Sequence, residues 1–283
     1  MSFHPYGTSR AVRIFGLLAA TFASSIGVAA PVVRQGSAVN PAGIQAIVDQ
    51  FRADLGGANN GVGGSFATGR REINWDGVPD ASAAPNFMPA DFFNVNSPRG
   101  VVLQTVLEDA GSALNNFMVS ATSTSGTAVR FGDINPSYTS NFITFSSQRL
   151  FMPRGAHAVL VKFFQPGSTT PAAVKGFGVV FTDVDSSTGG GRSIVYAYAP
   201  DGSQLAAASA PVFSGGLSFV GISFNAGERI GHVIIKSGTH ALTASNNDGV
   251  GGVDVVAMDD FIYGEPQPLS GCVFVDGFEC PAP

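Results

Sequence analysis

Two aspartates at alternate positions, Asp183 and Asp185, follow an apolar run and precede Ser187 and three glycines. A curling loop can turn every second side chain toward one point, so this spacing suits a hard cation such as calcium. The twelve-residue calcium loop between two helices is not matched. Gly189 stands seventh where that pattern has glycine sixth, and Ile194 stands twelfth in place of glutamate. A structural calcium ion is one interpretation, and aspartates that shape a turn by bonding their own backbone are the other.

A second acidic pair, Asp259 and Asp260, lies in a predicted strand that could end close to the first loop. Successive side chains on a strand face opposite ways, so only one of the pair is expected to point inward. The loop between Asn246 and Asp254 offers further oxygen ligands. The residues of the predicted metal site are Asp183, Asp185, Asp259 and Asp260.

The stretch "GRREINWDGVPD" (residues 69–80) concentrates charge around the chain's one tryptophan. If a strand runs through it, Trp75 shares a face with Ile73 and Arg71. On one interpretation Trp75 is exposed and stacks on a sugar ring, while polar neighbours bond the hydroxyls. On the other, which the neighbouring Ile73 favours, Trp75 is in the core and Arg71 pairs with a carboxylate. The predicted ligand-binding residues are Arg71, Asn74, Trp75 and Asp76.

Sequence motifs of catalysis are missing. The chain has no Gly-x-Ser-x-Gly elbow, no His-Glu-x-x-His and no phosphate-binding glycine loop flanked by strand and lysine. Its histidines after residue 30 are His157, His232 and His240. Binding is therefore favoured over catalysis. A hydrolase built from dispersed residues is the alternative, because catalytic triads and carboxylate pairs are defined by geometry.

The charge balance argues against nucleic acid as a partner. The formal net charge is −5, and the lysines are Lys162, Lys175 and Lys236. Nucleic-acid binding needs clustered lysine and arginine.

The first thirty residues have the pattern of a cleaved secretory signal peptide. His4, Arg10 and Arg13 precede an apolar run over residues 14–30 that ends in small residues. The alternative is a membrane anchor, but the run is shorter than the roughly 20 residues of a spanning helix. We therefore predict a secreted or extracytoplasmic protein. No later stretch has membrane-spanning length, so no transmembrane segment is expected in the mature chain.

The C-terminal tail, residues 266–283, carries both cysteines. Cys272 and Cys280 lie close together, and in an exported protein a local disulfide is expected.

One segment is typical of an amphipathic helix. Asn40 can cap it, Pro41 suits its first turn, and Gly56-Gly57 ends it. A glycine-rich loop follows, so residues 31–69 are predicted as helix and loop. The apolar stripe that defines the helix consists of Ile44, Ile47, Val48, Phe51 and Leu55.

Residues 70–265 have the pattern of short strands separated by turns, which predicts a mainly β protein, an antiparallel β-sandwich. "APDGSQ" and "NAGER" are predicted to join hairpins, and the helix is expected to cover an open end or edge. The stretch 164–171 either divides two modules or is a loop of one sandwich. The predicted strands are "GVVLQTV", "NFITFSS", "HAVLVKFF", "VKGFGVVFTDV", "RSIVYAYA", "LSFVGISF", "RIGHVIIKSG" and "VDVVAMDDFIYG".

The run from "GFGVVFTDVD" through "IVYAYAPDGSQL" and "ERIGHVIIKSG" to "MDDFIYGEP" resembles the jelly-roll modules of bacterial exported proteins. These are similar in outline to galactose-binding-like and carbohydrate-binding modules. "GRREINWDGVPD" and "FFNVNSPRG" resemble segments of uncharacterised bacterial secreted proteins, and the tail "FVDGFE" resembles a short C-terminal motif of many proteobacterial exported proteins. The resemblance implies a glycan or cell-envelope polysaccharide as ligand. A structural or surface-display module without a small ligand is the alternative.

Overall fold

The computed structural model describes residues 1–2, 30–106, 116–185 and 193–269. Nearly all of the predicted signal peptide, and both Cys272 and Cys280 of the predicted disulfide, lie outside these ranges. Among the described residues, no helix combines the length and the apolar character needed to cross a membrane.

Strands dominate the described part of the chain, and helices are few. The strands are β1 (Val32–Ala38), β2 (Arg70–Ile73), β3 (Val101–Val106), β4 (Phe117–Val119), β5 (Phe151–Pro153), β6 (Ala158–Phe163), β7 (Ala172–Ala173), β8 (Gly176–Val184), β9 (Ile194–Tyr198), β10 (Gln204–Ser209), β11 (Phe213–Ser223), β12 (His232–Lys236), β13 (Ala257–Gly264) and β14 (Gln267–Pro268). The helices are α1 (Pro41–Leu55), α2 (Phe92–Val95) and α3 (Tyr138–Asn141), with a 3₁₀ turn at Asp80–Ser82.

Two antiparallel sheets form a sandwich, as predicted. One has the order β1-β11-β8-β13-β5-β4, with β2 also paired to β13, and the other has the order β10-β9-β12-β6-β3. A small ladder of β14 and β7 lies beside them. Side chains of the two inner faces, such as Phe177 and Phe261 from one sheet and Val161 and Ile235 from the other, share one buried core.

Helix α1 forms where the sequence predicts it. The Asn40 side chain accepts a hydrogen bond from the Gly43 amide at 3.2 Å, Pro41 opens the first turn, and Gly56 caps the C-terminal end. Ile44, Val48, Phe51 and Leu55 are buried.

The helix covers a face of the larger sheet, so the expected position at an open end or edge is wrong. Phe51 packs edge-on against Phe219 of β11, with ring centroids 5.4 Å apart. Gly178 and Gly221 make room for that ring, because a Cβ on either would come within 2.7 Å of Phe51. Strand β8 is therefore buried on both sides, between the core and α1.

Some predicted strands and turns differ from the structure. "APDGSQ" joins β9 and β10 as a hairpin, as predicted. "NAGER" is wrong as a hairpin, because it connects β11 in one sheet to β12 in the other. "NFITFSS" is not a strand: the amides of Ile143 and Phe145 donate to the side chains of Thr182 and Asp259. β1, which lies before the predicted strands, pairs along its whole length with β11.

The stretch 164–171 is a loop between β6 and β7 whose ends, Phe164 and Pro171, pair with each other. Strands from before and after this loop contribute to both sheets.

Candidate functional site

Asp183 lies near the end of β8, where the ladder with β11 is irregular. Thr182 pairs with Leu217 and Val184 with Phe213, so three residues of β11 lie opposite Asp183. Asp183 has a φ of 68°, in the left-handed region that non-glycine residues rarely adopt. Its Oδ1 accepts a hydrogen bond of 2.6 Å from the Gly215 amide. The bulge thus fixes this carboxylate at the end of the sandwich.

Three carboxylates meet at this position. One oxygen each from Asp183, Asp185 and Asp248 lie within 4.8 Å of one another. We call these three residues the aspartate cluster. Asp248 belongs to the loop between Asn246 and Asp254, which the sequence marked as a further source of oxygen ligands.

The Asp248 carboxylate is held from two sides. Its Oδ1 accepts from the Val255 amide at 2.7 Å, and its Oδ2 accepts from Asn141 Nδ2 at 3.3 Å. Nearby, the Tyr138 hydroxyl donates to the Asn246 carbonyl at 2.9 Å, and so helps to fix the loop. Packing of α3 and its neighbours therefore brings Asp248 to the end of β8.

The electrostatics of the aspartate cluster are unfavourable for three negative charges. Burial, the hydrogen bond to Asp248 and the charges of Asp248 and Asp185 raise the pKa of Asp183 to about 8. Burial also raises the pKa of Asp185, and the charge of Asp248 adds to this effect. Asp185 Oδ1 is buried and has no hydrogen-bond partner. Within the described ranges, no lysine or arginine forms an ion pair with the three aspartates.

The other predicted metal residues, Asp259 and Asp260, do not join this cluster. Between Met258 and Phe261 the pairing of β13 with β8 shifts by one residue, as in a β-bulge. Both carboxylates therefore reach Ser146: its Oγ lies 3.0 Å from Asp259 Oδ1 and 2.7 Å from Asp260 Oδ1. The expectation that only one of the pair points inward is wrong, because it assumed regular strand alternation.

The buried pair is arranged to share a proton. Burial, the charge of Asp260 and a hydrogen bond with Asp260 raise the pKa of Asp259 well above its usual range. Burial also raises the pKa of Asp260, while Ser146 and Asp259 lower it through hydrogen bonds. The Arg52 guanidinium lies 3.8 Å from Asp260 Oδ2 and also pairs with Glu72. Each of the two carboxyls therefore has partners of its own, in Ser146, the Phe145 amide and Arg52.

Trp75 belongs to the core, as the favoured interpretation predicts. β2 ends at Ile73, and Trp75 follows with a φ of 65° that turns its ring inward. The ring is 1% exposed and stacks on Phe151 with centroids 4.2 Å apart. Its Nε1 donates to the Asp259 carbonyl at 2.8 Å. The alternative of a surface platform for a sugar ring is wrong, because no face of the indole is open to a ligand.

The remaining residues of the predicted ligand site also do not form one surface. Arg71 is buried and pairs with Glu265, which confirms the predicted pairing with a carboxylate. The Asp76 carboxylate accepts from the Arg149 amide at 3.1 Å, and burial raises its pKa. Asn74 is exposed. The stretch 69–80 thus builds the core and its edge.

No protein-family model matches the chain, and no curated protein matches it. The resemblance to jelly-roll modules therefore stays a prediction beyond the sandwich architecture. The tail "FVDGFE" that contributes to it lies outside the described residues.

Proposed function

We propose that the protein is an exported, non-catalytic β-sandwich whose aspartate cluster binds a structural calcium ion. The observation that carries the proposal is the convergence of Asp183, Asp185 and Asp248 within 4.8 Å. Like charges this close disfavour the ionised state unless a cation offsets them. The buried and unpartnered Oδ1 of Asp185 is the atom that most needs such a partner.

The donor set fits calcium. Calcium takes six to eight oxygen ligands, and carboxylates are typical among them. Zinc favours imidazole and thiolate, which none of these three residues supplies. Backbone carbonyls and water would complete the coordination. A bound ion would fasten the end of β8 to the loop that carries Asp248, and this is a stabilising role.

A binding role is favoured over catalysis by the burial of the second carboxylate pair. Asp259 is 0% exposed and Asp260 is 3% exposed, so neither can reach a substrate in this conformation. A secreted hydrolase with dispersed residues remains the alternative. Activity profiling on sugar, ester and peptide substrates tests it.

The ligand class that the jelly-roll resemblance implies is a glycan or cell-envelope polysaccharide. Because Trp75 and Arg71 are buried, stretch 69–80 does not support a glycan site. A polysaccharide pull-down with and without calcium tests the glycan proposal separately from the metal site.

The calcium proposal is tested by calorimetric titration of the mature protein after treatment with EDTA. One calcium ion per chain is expected, with binding abolished or strongly weakened in Asp183→Asn, Asp185→Asn and Asp248→Asn. Asp91→Asn is the matched control, because Asp91 is exposed and its side chain makes no hydrogen bond at the start of α2. Equal calcium binding by the wild type and all three cluster variants would rule the site out.

A further inference from the structure

A cleft of about 280 Å³ lies where the C-terminal end of α1 meets the strand ends of the larger sheet. Lys175, directly before β8, and Arg229, between β11 and β12, line it together with Thr68, Glu265 and Gln267. We call it the basic cleft. Its size is close to the lower end of the range for small-molecule sites, which suits one sugar ring or one acidic group.

In the part of the chain that the structure describes, the two cations of the basic cleft form no ion pair. Among the described residues, neither Lys175 nor Arg229 has a carboxylate oxygen within 4.0 Å. Arg229 Nη1 donates a hydrogen bond of 3.1 Å to the Glu228 carbonyl. Asp54 is paired with Arg34 at 2.7 Å, and the hydrogen bond from Arg34 lowers the pKa of Asp54, with a smaller contribution from the charge of Lys175.

The one carboxylate that lines the cleft is already neutralised. Glu265 accepts from Arg71 through both of its oxygens, each at 2.7 Å. It also accepts from Asn60 Nδ2 at 2.9 Å and from the Phe66 amide at 3.2 Å. With these bonds made, Glu265 leaves the positive charge of the cleft largely uncompensated.

The partial negative charge at the C-terminal end of α1, beside the cleft, is also partly offset. The carbonyls at the C-terminal end of a helix carry partial negative charge and disfavour an anion. Here the Arg70 guanidinium donates to the Gly56 carbonyl at 3.3 Å and to the Gly57 carbonyl. The two carbonyls that directly follow α1 are thus bound by the Arg70 side chain, which also pairs with Glu72 at 2.6 Å.

We propose that the basic cleft binds the anionic group, carboxylate or sulfate, of an acidic polysaccharide. Lys175 and Arg229 would hold the charged group, while Thr68 and Gln267 offer polar atoms to sugar hydroxyls. Nucleic acid is disfavoured because its closely spaced phosphates need a row of cations, and the chain has a net charge of −5. The residues of this site are separate from the aspartate cluster, so the proposal does not depend on the calcium site, and it rests on the glycan class of ligand proposed above.

The test is a titration of the mature protein with oligogalacturonate, carried out in EDTA because polyuronates themselves bind calcium. Variants Lys175→Gln and Arg229→Gln each remove one charge and keep a polar side chain. We expect about threefold weaker binding for each and about tenfold for the double variant, since exposed charge pairs contribute modestly. Sodium sulfate should compete with the oligomer, and neutral dextran should not bind.

Arg154→Gln is the matched control, because it removes one positive charge from a different cleft, beside Asp133 and Met118. It should leave oligogalacturonate binding unchanged. Equal losses in Arg154→Gln and in the Lys175 and Arg229 variants would overturn the proposal, since they would show general charge attraction. Absence of oligogalacturonate binding, or tighter binding of a DNA oligonucleotide, would also overturn it. Binding that survives in Asp183→Asn separates this site from the proposed calcium function.

Discussion

Arg71 and Glu265 form a two-pronged ion pair in which the side chains are 0% and 1% exposed. Arg71 Nη2 also donates to the carbonyls of Gly63 and Gly64, at 3.1 and 2.9 Å. The pair therefore fastens the glycine-rich loop after α1 to the end of β13. The sequence offered a ligand contact for Arg71 as one interpretation and pairing with a carboxylate as the favoured one, and the geometry confirms the pairing.

Replacing Glu265 by Gln should destabilise the protein by roughly 3–5 kcal/mol, because it leaves the Arg71 charge buried without a counter-charge. Urea denaturation measures this change in the free energy of unfolding. Asp54→Asn is the control and should cost much less, since its partner Arg34 is partly exposed and solvent screens such pairs. Similar losses in the two variants would contradict the special role of the buried pair.

Adding one methyl group at Gly221 should loosen α1 from the sheet. The new Cβ would lie 2.6 Å from the Phe51 ring, and overpacking of this kind costs about 1–3 kcal/mol. Gly57→Ala is the control, because a Cβ there meets nothing within 4 Å.

Phe51→Ala tests whether the Phe51 ring causes the loss of stability expected for Gly221→Ala. On its own, that change should cost about 3–5 kcal/mol, since it removes a buried ring. In that background Gly221→Ala should cost much less than alone, because the clash is gone and neighbouring sites are not additive. An unchanged cost would show that the ring is not what Gly221 accommodates.

The Asp259–Asp260 pair should make stability depend on pH. Because the folded pKa of Asp259 is raised, the folded state keeps a proton that the unfolded chain loses above about pH 4. Stability should therefore fall as pH rises from there toward the folded pKa, by up to about 1.4 kcal/mol per pH unit. Denaturation at several pH values measures this slope.

Asp259→Asn should reduce the slope, because an amide can accept from the Phe145 amide as Asp259 does and does not titrate. The part of the slope that remains comes from Asp183 and Asp185, whose pKa values are also raised in the folded state. Asp91→Asn should leave the slope as in the wild type. If Asp259→Asn leaves the slope unaltered, the pKa of Asp259 is not raised in the folded state.

The parts of the fold that local sequence controls could be predicted. Helix α1 was predictable because its cap at Asn40, its proline and its apolar stripe all lie within one segment. The core position of Trp75 followed from its aliphatic neighbour Ile73. The sandwich followed from repeated short apolar runs.

Features that depend on distant partners could not be predicted. The bulge at Asp259 and Asp260 is defined by the pairing of Met258 and Phe261 with β8, so the shared direction of the two aspartates has no local sequence signal. The strand β1 forms because β11 offers it an edge. Asp248 could be marked as an oxygen source, but its approach to Asp183 depends on how the loops pack. The basic cleft was missed because Lys175 and Arg229 are isolated cations in the sequence.

Thermal melting tests most directly whether the aspartate cluster holds calcium. Purified mature protein is melted in EDTA and in millimolar calcium, with magnesium as the control for ionic strength. Binding to the folded state alone must raise the melting temperature, by on the order of 5 °C if calcium is well above its dissociation constant. We predict that rise for the wild type and Asp91→Asn, and its loss in Asp185→Asn. An equal melting temperature with calcium and with EDTA would contradict the claim and leave these aspartates as turn-forming residues.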